Sequence, residues 1–234
     1  MKRLVFLLFI SAFAAVFPSC ETKYGSGKII TVQKSVPEFN AVSISGNINA
    51  ELRNGPQKVV IEADDNLMEF IRTDVEGNKL KISTEIKSLR DAHIRVYITA
   101  PGINRVSTSA GAELALKDDL SSPERIQLVT SSAGEIEGRV DAPFVELDAS
   151  SGSEIKVKGR TRNLQVDASS GADVEASGLM AENTEVSASS GSAAKVHASV
   201  SLKASASSGA GIKYRGGGET TINQSSGGTV KKLN

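Results

Sequence analysis

The chain has 234 residues, with 27 Lys plus Arg against 27 Asp plus Glu, 4% aromatic residues, no tryptophan and one cysteine. That length allows one large domain or two small ones. The balanced charge leaves no electrostatic footprint for nucleic acid, and a lone cysteine excludes an internal disulfide framework.

Residues 1–20, MKRLVFLLFISAFAAVFPSC, read as a secretion signal: Lys2 and Arg3, an apolar run from Leu4 to Phe17, then small residues near the end. The run is too short and wrongly flanked for a spanning helix. Cys20 closes it, and FPSC resembles a bacterial lipoprotein box in which the cysteine is acylated and becomes the first mature residue. The alternative is ordinary cleavage nearby, leaving a free thiol. Multiple acyl chains would hold the protein on a membrane, the outer membrane being favoured. Glu21 and Lys23 do not fix which side. Loss of Lys2 and Arg3 leaves 25 basic and 27 acidic residues, a net charge of −2. Residues 21–27 are polar and contain glycine, which predicts a flexible tether.

Residues 28–105 are β-rich without a period and are expected to form an N-terminal cap. Strands are predicted at Ile29–Gln33, Ala41–Ser45, Ile48–Arg53 and Lys58–Ala63. Asp64 or Asp65 is a candidate N-cap for a short helix over Leu67–Phe70. Gly77-Asn78 sits between two alternating runs, a hairpin signal, and a further strand ends at Pro101. SISGNI, around Gly46, looks like a degenerate first copy of the motif that follows.

Residues 106–234 repeat. SAGAEL, SSAGEI, SSGSEI, SSGADV, SSGSAAKV, SSGAGI and SSGGTV centre on Gly111, Ala133, Gly152, Gly171, Gly191, Gly209 and Gly227, in steps of 22, 19, 19, 20, 18 and 18 residues. Such a period means stacked units, none able to bury its apolar face alone. Each unit alternates apolar and polar residues at period two on either side of its corner, which makes it strand, turn, strand, turn. The fold predicted is all-β, a right-handed parallel β-helix of about seven short repeats. An antiparallel meander is the alternative. One inward column runs Leu114, Ile136, Ile155, Val174, then Ala194 or Val196, Ile212 and Val230. A second runs Leu128, Leu147, Val166, Val186, Ala204 and Ile222. The six glycines supply positive-φ bends. The column Ser131, Ser150, Ser169, Ser189, Ser207, Ser225 is expected to be a structural ladder of hydroxyls.

FNAVSISGNINAEL, VVIEADDNLMEFI, VEGNKLKIS, RVYITAPGINRVSTSAGAEL and the SSG units to SSGGTVKK, taken in that order over roughly residues 29–232, resemble the auto-transporter adhesin head GIN domain family of Bacteroidetes-type bacteria. The resemblance implies an exported β-helical domain, often on a lipoprotein, and supplies no catalytic residues to carry over.

The register predicts two outward acidic columns. Glu113, Glu135, Glu154 and Asp173 form one; Asp148 and Asp167, continued by Ser187, Ser205 and Asn223, form the other. Hydrated acidic faces account for both, although either column could collect Ca²⁺. No Lys or Arg is predicted between them. His93 and His197 read as exposed strand residues, and no nucleophile–base pair, zinc spacing or phosphate loop is present. The function expected is non-catalytic, adhesin-like binding of a glycan or another envelope protein by a lipid-anchored chain. A pectinase-like β-helix enzyme and a periplasmic structural or sensory protein are the alternatives. Oligomeric state is not set by the sequence.

Overall fold

The computed structural model describes residues 22–86 and 88–233. The signal segment 1–20 and Cys20 lie outside the described residues.

Period-two alternation becomes stacked strands joined at tight corners, a β-solenoid of about seven turns. Among the described residues, nineteen strands form one continuous sheet. From Arg105 onward every pairing within it is parallel and links homologous residues of successive turns. The meander is therefore excluded. The first inward column is Leu114, Ile136, Ile155, Val174, Ala194, Ile212 and Val230, so the slip resolves to Ala194. The second runs from Leu128 to Ile222 as read from sequence. Members of these columns up to Val174 and Val186 are essentially inaccessible to solvent. Each such Leu, Ile or Val contributes about 1.5–3 kcal/mol of burial.

The corner has a specific geometry. In Ser169-Ser170-Gly171-Ala172, both Ser170 (φ +52°) and Gly171 (φ +72°) are left-handed, and the Ala172 amide donates to the Ser169 carbonyl at 3.1 Å. Positive φ at both central residues is a type I′ turn. Ser132 and Ala133 adopt it without any glycine, at φ +49° and +60°. The corners stack through backbone: Gly152, Gly171, Gly191 and Gly209 each donate to the serine carbonyl of the next turn at 3.0–3.1 Å. The expected hydroxyl ladder is a correction. Among the described residues, the hydroxyls of Ser131, Ser150, Ser169, Ser189, Ser207 and Ser225 make no bond within the protein. The buried hydroxyls after the glycine do the bracing instead: Ser153 accepts from the Ser150 amide at 3.0 Å, and Ser192 donates to the Ala168 carbonyl at 2.9 Å.

The N-terminal segment is built into the stack. Ala41–Ser45 and Asn49–Arg53 pair in parallel with Arg105–Ser109 and Glu113–Leu116, placing Asn47 (φ +48°) opposite Gly111. Lys79–Thr84 and Ile94–Thr99 form a further layer outside them. Space and sequence order therefore part here, since residues 79–99 lie outside residues 41–53. Antiparallel strands close this end: Ile71–Glu76 on Lys79–Thr84, and Lys58–Asp64 with Ile29–Lys34 on Ile94–Thr99.

Two local expectations are corrected. Residues 22–27 are not a loose tether. Thr22–Tyr24 pairs in parallel with Ser88–Arg90, the Gly25 amide reaches the Arg90 carbonyl, and the Gly27 amide reaches Asp64. The predicted helix is a single 3-10 turn, Met68–Phe70, whose N-cap is Leu67 without a side-chain cap. Asp64 is buried and spends its carboxylate on the Gly27 and His93 amides at 2.8 and 2.7 Å. Asp65 accepts from Ser26 and pairs with Lys28.

Candidate functional site

Three features build the site: a flat outward strand face, a corner that juts beyond it, and stacking in register. Asp148, Asp167, Ser187, Ser205 and Asn223 follow one another at identical positions of five successive strands. Two residues further along each strand stand Ser150, Ser169, Ser189, Ser207 and Ser225, on the same side because the strand period is two. Together the rows enclose a groove of about 730 Å³, extended by Ser131 and Val129 and floored by Ala149, Ala168, Ala188 and Ala206. Adjacent rungs are spaced by about 4.8 Å.

The groove is acidic at one end and neutral at the other. Asp148 is half-buried, and burial first, then Glu146 and Asp167, pushes its carboxyl above the ordinary value of 3.8 against a hydrogen bond from Gln127. Asp167 is exposed and accepts from Gln165 at 3.2 Å. Repulsion between two such carboxylates is about 0.9 kcal/mol in bulk water.

The second predicted column, Glu113, Glu135, Glu154 and Asp173, is also in register. Its charge is answered by lysines on the same face. The Lys156 ammonium lies 3.2 Å from Glu135 and 2.8 Å from Glu154, and these partners raise its pKa strongly. Lys195 bridges Glu175 on the next strand pair at 2.5 Å. Asp173 carries a raised pKa from burial, opposed by Lys195. Among the described residues, no group of three or more His, Cys, Asp or Glu could hold a metal ion. The lysines were within reach of sequence, since Lys156 and Lys195 fall two residues beyond the Glu154 register position and so share its face.

The histidines do not assemble a nucleophile. His93 is half-buried with Nε2 2.7 Å from Glu62, and His197 Nδ1 is 3.2 Å from the Ala181 carbonyl. Among the described residues, neither has a serine hydroxyl as a hydrogen-bond partner.

Residues 38–218 of the chain match a known family model, described as "Putative auto-transporter adhesin, head GIN domain". The chain belongs to that family. Its fold is shared with solved structures at low identity. A putative adhesin from Bacteroides fragilis is 20% identical, with a TM-score of 0.84 over 90% of this chain and 100% of that one. A putative lipid binding protein from Parabacteroides distasonis is 17% identical, with a TM-score of 0.76 over 92% and 100%. A putative adhesin from Parabacteroides merdae is 17% identical, with a TM-score of 0.75 over 91% and 99%. No curated protein matches the sequence.

Proposed function

We propose that this GIN-domain chain is an exported, lipid-anchored envelope protein that binds an extended glycan or an envelope protein strand along the Asp148–Asn223 groove, without catalysis. The observation that carries this reading is the row of serine hydroxyls without internal partners, facing solvent beside an in-register polar row. Free hydroxyls at a regular spacing suit a ligand that repeats. Each contact is weak and the array adds them, as in other multivalent binding. The signal segment and Cys20 support export and anchoring, and membership of an adhesin family supports an envelope role. The carboxylates of Asp148 and Asp167 in the groove's lining suit an acyl chain poorly.

The test is affinity electrophoresis of the Cys20→Ser chain in gels containing neutral, uronic-acid and amino-sugar polysaccharides. Retardation by at least one class is expected, and Ser169→Arg, which fills the groove, should abolish it. Glu137→Gln, on another face, should not. Equal retardation of both variants would move the site elsewhere. Release of reducing ends from a polyuronate would replace binding with hydrolysis or elimination at Asp148 and Asp167.

A further inference from the structure

The candidate acylation site lies next to the described body in sequence. Only Glu21 stands between Cys20 and Thr22, the first described residue. Two residues reach about 7 Å at most. From Thr22 onward the backbone is pinned. Thr22, Lys23 and Tyr24 pair with Ser88, Leu89 and Arg90. The Ser26 amide donates to Asn66 at 3.1 Å, and the Asn66 side chain donates to the Tyr24 carbonyl at 2.9 Å. The Gly27 amide donates to buried Asp64. Lys23 lies 4.5 Å from the Phe70 ring centroid. These partners belong to the closed end of the solenoid, beside its terminal strands Ile29–Lys34 and Ile71–Glu76.

Two large apolar side chains are exposed here. Tyr24 is 58% and Ile29 is 42% accessible. An exposed tyrosine close to an acyl anchor suits the headgroup layer, where an apolar ring with a polar tip is at home.

Accepting the proposed acylation of Cys20, we infer that the closed N-terminal end is a membrane-apposed surface and that the solenoid stands end-on upon the bilayer. Tyr24 and Ile29 rest among lipid headgroups, and each turn lifts the chain by one strand spacing. On the face that carries the groove, Ile71–Glu76 is followed outward by Lys79–Thr84, Ala41–Ser45 and Arg105–Ser109 before the first groove strand, Arg125–Thr130. The groove then begins about 19 Å from the closed edge at about 4.8 Å per strand. The last turn, with Lys231 and Lys232, is the most distant part of the protein. Such an arrangement keeps the binding surface clear of the headgroups without a linker domain.

The protein's lack of tryptophan makes a direct test possible. Tyr24→Trp, Met180→Trp and Lys231→Trp each place a single indole: at the closed end, on a side face where Met180 is 51% accessible, and on the last strand. The full chain, acylated in a bacterial host, is reconstituted into vesicles of brominated phosphatidylcholine with a fifth part phosphatidylglycerol. The Tyr24→Trp chain should lose most of its emission to bromine quenching, while the other two keep theirs. Quenching of Met180→Trp would mean that the solenoid lies on its side, and quenching of none would mean that no face is apposed; either overturns the inference. Mass spectrometry of Cys20 decides the anchor reading separately. Were no acyl chain found there, coupling the Cys20 thiol to a maleimide lipid and repeating the quenching would still decide the apposition.

Discussion

The corners make a quantitative prediction because two glycines with positive φ are constrained for different reasons. Gly171 has φ +72° and open space where a Cβ would go. Gly159 has φ +129°, and a Cβ there would lie deep inside the van der Waals shell of the Val140 carbonyl oxygen of the preceding turn. For Gly171→Ala, left-handed strain costs about 1–2 kcal/mol, offset by about 0.4–1 kcal/mol of lost unfolded-chain freedom. The net loss is about 1 kcal/mol. Gly159→Ala adds a backbone clash between stacked turns, worth about 1–3 kcal/mol, to a conformation that costs a side chain about 1–3 kcal/mol. Its loss should be about 3–5 kcal/mol. For a chain of this size, 1 kcal/mol moves the melting temperature by about 2–4 °C. Calorimetry should thus separate the variants clearly, with a drop of a few degrees for Gly171→Ala and roughly three times more for Gly159→Ala. The natural Ala133, at φ +60°, calibrates the scale. Ala133→Gly should change the melting temperature by no more than Gly171→Ala does, and in the upward direction. Equal losses at Gly159 and Gly171, or a tolerated Gly159→Ala, would refute the close stacking at that second bend.

Two electrostatic predictions follow from the faces. Burial holds the Asp148 carboxyl above 3.8, so the folded chain binds that proton more tightly than the unfolded chain. The group favours folding most below 3.8, and its contribution falls as pH rises through the folded value. Asp148→Asn should therefore raise the urea midpoint at neutral pH, with the gain disappearing in acid; no gain at neutral pH contradicts it. Lys156→Met should leave Glu135 and Glu154 facing each other without their shared cation. The loss should be at most about 1 kcal/mol, as for other exposed pairs, and it should shrink as added salt screens the carboxylates. A loss independent of salt would assign the effect to packing of the lysine stem.

The solenoid was legible because its cause is local and repeated. Ile155 alternates with Glu154 and Lys156, and the same alternation returns at Val174, so the inward columns follow from spacing alone. Ala194 displaced Val196 as the column member because Ser189–Val196 matches Ser169–Ala176 residue for residue, so Ala194 stands opposite Val174 and Val196 takes the next inward position, opposite Tyr214. The closed end was less legible because its partners are distant. Thr22 bonds to Ser88, 66 residues away, and nothing polar and glycine-containing in residues 21–27 announces that strand. Residues 79–99 stack outside residues 41–53, a reversal that no period can reveal. At the groove, the polar row was readable, but the role of the serines was not. Whether a hydroxyl faces its neighbour or solvent depends on the type I′ corner, where Ser170 takes the first left-handed position and the residue after Gly171 turns inward.

One axis of stacking underlies the fold, the groove and the membrane geometry alike. A single outward column runs Lys81, Ser43, Ser107, Val129, Asp148, Asp167, Ser187, Ser205, Asn223 from the closed end to the last turn. Its eight gaps make Lys81 and Asn223 about 38 Å apart at about 4.8 Å per strand. Nitroxides placed at these two positions in a Cys20→Ser chain, measured by pulsed dipolar spectroscopy, should give one narrow distance peak near that value. A peak below about 25 Å, shorter than a stack of six spacings, would contradict the single axis.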